Sequence, residues 1–129
     1  MASLSNTEVR QLAKTSKKTE LEDAFYLHWQ LMFPDLPAPT RQHPILNPKT
    51  NRHWKLDFAW PEDGKIFVEL QGGAFIRGGH TTALGQHADY ERQNMLTRMG
   101  WRGLYFNTVA LKNMAEVVEF VAETLCNAK

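Results

Sequence analysis

Apolar residues recur at helical spacing through the first quarter of the chain. Leu21, Phe25, His28 or Trp29, and Met32 fall three to four positions apart and define one helix face. Pro34 ends that helix, because proline lacks an amide donor and crowds the preceding turn. Two capping-box patterns lie upstream. Ser5-Asn-Thr-Glu8 opens a short first helix, and Thr19-Glu-Leu-Glu22 opens the second. Pro34, Pro37, Pro39, Pro44 and Pro48 then mark residues 34–52 as a loop, with at most a short strand near Ile45.

The period next changes to two. Trp54, Leu56, Phe58 and Trp60 alternate with Lys55, Asp57 and Ala59, and Pro61-Glu-Asp-Gly64 turns the chain. Ile66, Val68 and Leu70 alternate with Phe67, Glu69 and Gln71 before Gly72-Gly73 ends the strand. Residues 74–81 form a glycine-bearing loop. Thr82 caps a helix running to about Met99, with Leu84, Ala88, Met95 and Met99 inward, and Gly100 suits a left-handed stop. Trp101 to Phe106 reads as a third strand. Asn107-Thr108 caps a final helix that turns Met114, Val117, Val118, Val121 and Leu125 to one face. Trp54, Trp60 and Trp101 are assigned to the core.

Burial predicts how the two strands pair. Partners across a ladder share a face, so the apolar faces should coincide. Trp60 opposite Ile66, Phe58 opposite Val68 and Leu56 opposite Leu70 achieve this with a five-residue loop, Pro61 to Lys65. The same register sets Asp57 against Glu69 and Lys55 against Gln71. Like charges directly opposite cost up to about 1 kcal/mol. A shared proton, a bound cation or Lys55 would offset that repulsion; the alternative is a solvated sheet face on which both acids diverge into water.

Composition narrows the class. With 129 residues and 43% hydrophobic residues, the chain forms one domain with a core of its own. Its parts read as an N-terminal helix or arm (1–18), a core (19–108) and a C-terminal helix (109–129). The single cysteine, Cys126, excludes an internal disulfide and a cysteine-rich zinc site. No run of 18 apolar residues exists, and the N-terminus lacks the apolar centre of a secretory signal, so a cytoplasmic protein without a membrane partner is expected.

The net charge is only +1 but is unevenly spread. Residues 41–55 carry Arg41, Lys49, Arg52 and Lys55 with no acid, whereas the last helix carries Glu116, Glu119 and Glu123. Such a basic stretch either meets phosphates or is a solvated loop. There is no Gly-x-Ser-x-Gly and no Gly-Lys-Ser/Thr phosphate loop, which leaves a serine hydrolase and a nucleotide-loop enzyme without support. His80 and His87 lack a third partner at zinc spacing.

Asp57 followed by Glu69-Leu70-Gln71 on the next strand resembles the PD-(D/E)XK nuclease core. The set extends through Val68-Glu-Leu-Gln-Gly-Gly73, Gly79-His80, Asp89-x-x-Arg92-x-Asn94 and Gly100-Trp101. In this set the chain is similar to small phage and bacterial endonucleases of the Holliday-junction-resolvase-like or Vsr-like type. The resemblance implies an α/β, restriction-endonuclease-like core: a central mixed sheet, a β-hairpin carrying the site, and flanking helices. It implies Mg2+, with Mn2+ as substitute, bound by Asp57, Glu69 and the carbonyl of Leu70. Glu22, Asp57, Glu69 and Gln71 would be catalytic, and Lys55, Arg77, His80 and Arg92 would contact DNA. The expected activity is structure-selective cleavage of branched or nicked DNA, by a homodimer where two strands are cut. The alternative is an inactive nucleic-acid-binding module of the same fold. Gln71 stands where the family has lysine; Lys55 or Arg92 would then supply the missing cation. Glu22 has a competing role as the third residue of its capping box, and Asp89 and Arg92 as an intrahelical pair.

Overall fold

A computed structural model describes residues 5–71 and 83–128; the side chains of residues 9–16 and of Gln71 lie outside the description. Along the chain come α1 (Asn6–Met32), β1 (Thr40–Asn47), β2 (Arg52–Trp60), β3 (Ile66–Gln71), α2 (Ala83–Arg98), β4 (Arg102–Asn107), α3 (Thr108–Leu111) and α4 (Met114–Asn127). The four strands form one sheet in the order β1-β2-β3-β4. The first three are antiparallel neighbours, and β4 runs parallel to β3 after the passage through α2. The protein is thus α/β, with a four-stranded mixed sheet flanked by helices.

Each face of the sheet has its own core. Phe58, Trp60, Ile66, Val68 and Leu70 pack against Phe25 and Trp29 of α1 and against Val117, Val118, Val121 and Leu125 of α4. On the opposite face Leu56, Ala59 and Phe67 meet Leu96 of α2 and Trp101. The two indole N–H groups of Trp29 and Trp60 both donate to the carbonyl of Pro37, at 3.1 and 2.8 Å. Burying those rings therefore leaves no donor unpaired and ties the 33–39 loop down.

Several sequence expectations are met in detail. Ser5 and Glu8 form the reciprocal capping box of α1. Trp60 pairs with Ile66 and Phe58 with Val68 across the five-residue loop. Gly100 takes φ +89°, the left-handed stop after α2. The apolar face of α4 is buried as expected.

Others are corrected. Thr19 starts no helix: α1 runs unbroken across the expected 18/19 boundary, because residues 6–32 contain neither proline nor glycine and the Ser5 cap nucleates the whole length. Residues 40–47 are an eight-residue strand rather than loop; β1 is the sheet edge, where Pro44 is tolerated. Leu84 and Ala88 are exposed, and Leu96 carries the burial of α2 instead. Trp60 and Trp101 are buried as expected, but Trp54 is only half-buried and belongs to neither core. The final helical region is split. Asn107 caps only the four-residue α3, and Asn113 caps α4.

One correction bears on the site. Leu56 and Phe58 lie in different cores although they are two apart, so the alternation of β2 inverts at Asp57. The β1–β2 ladder pairs Arg41 with Phe58 and His43 with Leu56 but omits Gln42 and Asp57, and Gln42 takes φ +51°. The β2–β3 ladder stops at Phe58–Val68, leaving the expected Leu56–Leu70 pair unformed.

Candidate metal and active site

Where the ladder stops, Asp57 replaces it. Its Oδ2 accepts the Leu70 N–H at 2.8 Å, so the carboxylate lies between the two strands and takes the place of a backbone acceptor. Glu69 stands on β3 one residue earlier, close enough that the Asp57 charge acts on its carboxyl. Glu22 reaches the same point from α1. Its Oε1 accepts from the Gln42 amide at 2.7 Å, and the same amide nitrogen lies 3.4 Å from Asp57 Oδ1. Glu22, Asp57 and Glu69 are the buried polar or charged side chains among the described residues, and Asp57 neighbours both of the others.

Cations and one phenol complete it. Lys18 Nζ lies 3.3 Å from Asp57 Oδ1, and the Arg92 guanidinium donates to Glu69 Oε1. Tyr105 is the β4 partner of Glu69. Its phenol is pushed up, by burial first and by the Glu69 charge against the Arg92 charge.

The electrostatics record the crowding. Burial first, then the charge of Asp57, pushes Glu69 up to about 7, against the downward pull of Arg92. Glu22 is also raised, again by burial first and Asp57 second, while Gln42, Lys18 and Arg41 work the other way. The ionised forms are therefore incompletely compensated by the protein's own groups, the condition under which a cation is taken up.

The donor set of Asp57 and Glu69 fits a hard divalent ion, with Glu22 at the margin. Among the described residues, no three or more His, Cys, Asp or Glu side chains already surround a common ion position. The acids instead meet as overlapping pairs held by Lys18, Gln42 and Arg92, and no buried side-chain nitrogen or oxygen among the described residues lacks a partner. A bound ion would therefore displace some of these contacts.

Of the residues expected from sequence, Asp57 neighbours both Glu22 and Glu69, Arg92 bonds Glu69, and Leu70 enters through its N–H to Asp57 rather than through the carbonyl that the resemblance implies. The capping role of Glu22 falls, since it lies deep inside α1. Lys55 is exposed and, among the described residues, makes no hydrogen bond or ion pair with the acids; the inversion at Asp57 removes it from their side. Gln71 pairs with Asn107 along β3–β4. Arg77 and His80 lie outside the described residues.

Lys18, Gln42 and Tyr105 were not anticipated. Lys18 is four residues before Glu22, so an unbroken helix would have announced it. Gln42 gives no local signal, and Tyr105 becomes visible only with the parallel register of β3 and β4. In comparisons with known proteins, no family model, curated protein or solved structure matches the chain.

Proposed function

We propose that the protein is a metal-dependent DNA endonuclease of the PD-(D/E)XK kind, with a restriction-endonuclease-like core. The observation that carries the reading is Asp57, buried where the hairpin ladder opens and bonded to the Leu70 N–H, with the buried acids Glu69 and Glu22 each beside it. Buried like charges are costly, and a divalent cation offsets them.

Asp57 and Glu69 would hold Mg2+ or Mn2+, with the Leu70 backbone beside them. When bound, the ion supplies Lewis acidity toward the scissile phosphate and a water of lowered pKa. Glu22, raised by burial and by the Asp57 charge and held by Gln42, would accept a proton from the attacking water. Lys18 and Arg92, which pair with the Asp57 and Glu69 carboxylates, would bring positive charge to the oxygens that gain negative charge in the transition state. They take over the part that Gln71, an uncharged amide, cannot play. The basic stretch at residues 41–55 supports DNA as the substrate.

The test is cleavage of branched, nicked and linear DNA with Mg2+ and with Mn2+, beside Asp57→Ala and Glu69→Ala. Activity lost in both variants supports the reading; cutting that persists in both removes the site. A second reading, a DNA-binding module without catalysis, is favoured by Gln71 and by the engagement of Glu69 with Arg92. Binding without cutting in either metal decides for it.

A further inference from the structure

Helix α2 presents Arg92 to the acids and, on the neighbouring stripe, lines a separate cavity of about 220 Å3. Glu91, Asn94, Met95 and Arg98 of α2 form one wall. The other is the end of the β1–β2 hairpin, with Asn47, Lys49 and the half-buried Trp54. Glu91 is already engaged by the Lys49 ammonium at 3.4 Å and by the His87 ring at 3.2 Å.

The chemistry of this cavity is specific. Trp54 and Met95 supply an apolar wall and floor. Two amides border it: Asn94 is exposed, and Asn47 uses its oxygen to accept the Lys49 N–H at 3.0 Å, which leaves its amide N–H groups for a ligand. Lys49 and Arg98 are exposed at the rim. An aromatic surface, amide edges and rim cations are the groups that recognise a base, its hydrogen-bonding edge and its phosphates. The site also adjoins the acids. Trp54 precedes Asp57 by three residues, about 10 Å along the strand. It lies within the 41–55 stretch that holds four cations and no acid.

We propose that this cavity receives one unpaired base of a DNA strand, stacked on Trp54, with Arg98 on a flanking phosphate. The proposal rests on the DNA substrate of the endonuclease reading and deepens it. An unpaired base beside the scissile phosphate is what separates a tailed, flapped or mismatched duplex from a paired one, so the cavity gives the enzyme its structure selectivity.

The test is fluorescence anisotropy of the full chain with labelled DNA in EDTA, where nothing is cut, using a blunt duplex and the same duplex with a single-stranded tail. The tailed probe binds more tightly. Trp54→Ala weakens it roughly tenfold or more and leaves the blunt duplex unchanged. Trp54→Phe restores a stacking surface and most of the affinity. Asn94→Ala, at an exposed position, weakens the tailed probe while its circular dichroism stays that of the parent. Arg98→Ala weakens both probes and lowers the salt slope by about one.

A folded Trp54→Ala, or an Asn94→Ala, that binds the tailed probe as the parent does overturns the proposal even if the chain cleaves DNA. Trp54-dependent binding without cleavage in any metal leaves the base site standing and removes the endonuclease. Failure to bind either probe overturns the base site and leaves the endonuclease to the cleavage assay with metal.

Discussion

Glu69→Gln separates the cost of crowding the acids from its use. The substitution keeps an oxygen for Arg92 to donate to and removes the charge. Below about pH 4.5 the native acid is protonated whether the chain is folded or unfolded, and it contributes nothing to pH dependence. Between 4.5 and about 7 the folded chain retains a proton that the unfolded chain releases, so stability falls as pH rises. Above about 7 both forms are ionised and the full penalty is present. Moving a buried carboxyl from 4.5 to about 7 corresponds to a penalty of about 3 kcal/mol. Because Asp57 shares the repulsion, that figure is an upper bound for Glu69 alone. The gap in unfolding free energy between Glu69→Gln and the parent should therefore widen in favour of the variant from about pH 5 to about pH 8, by roughly 1–3 kcal/mol. At this chain size that is on the order of 5–10 °C in Tm. Urea titration followed by tryptophan fluorescence, in EDTA and at constant ionic strength, measures it. Curves that stay parallel across this range would refute the reasoning: ionised Glu69 would then carry no penalty, and the acids would not be crowded.

Magnesium should reverse the effect. At about pH 8 a saturating concentration near one hundred times its Kd stabilises the parent by about 2.7 kcal/mol and leaves Glu69→Gln nearly unmoved; equal thermal shifts in both would remove Glu69 as a ligand. Phe25 is fully buried against Trp29 and Phe58, with ring centroids at 6.3 and 4.5 Å, so Phe25→Ala should cost about 3–5 kcal/mol in urea unfolding. A loss well under 1 kcal/mol would mean that α1 is not docked on the sheet. A Cβ at Gly103 would overlap the Phe67 ring across β3–β4. Gly103→Ala should destabilise by about 1–3 kcal/mol, and Phe67→Leu in the same chain should recover part of it.

Local chemistry was sufficient for much of the fold. The period-two pattern of residues 54–60 and 66–71, with Pro61 to Gly64 between them, determined the hairpin, its loop and the pairs at Trp60 and Phe58. Gly100 determined the stop of α2, and the spacing from Met114 to Leu125 determined the buried face of α4. These features depend on side-chain period, backbone freedom and turn chemistry within a few residues of one another, which the order of residues contains outright.

Tertiary structure decided the rest. The Thr19 pattern had the form of a cap, yet α1 continues through it, and only that continuity sets Lys18 on the same side as Glu22. Residues 40–47 become a strand because β2 offers them a ladder, proline notwithstanding. Asp57 and Glu69 are neighbours, as the expected register required, but for a different reason. They meet because β2 inverts at Asp57 and its carboxylate takes the Leu70 amide, not because an unbroken ladder sets them opposite. The same inversion separates Leu56 from Phe58 and leaves Lys55 away from the acids. Gln42, Arg92 and Tyr105 come to the centre from three other elements. Residues so far apart in the chain share no local pattern. Packing both sheet faces at once brings them together, and that balance belongs to the folded molecule as a whole.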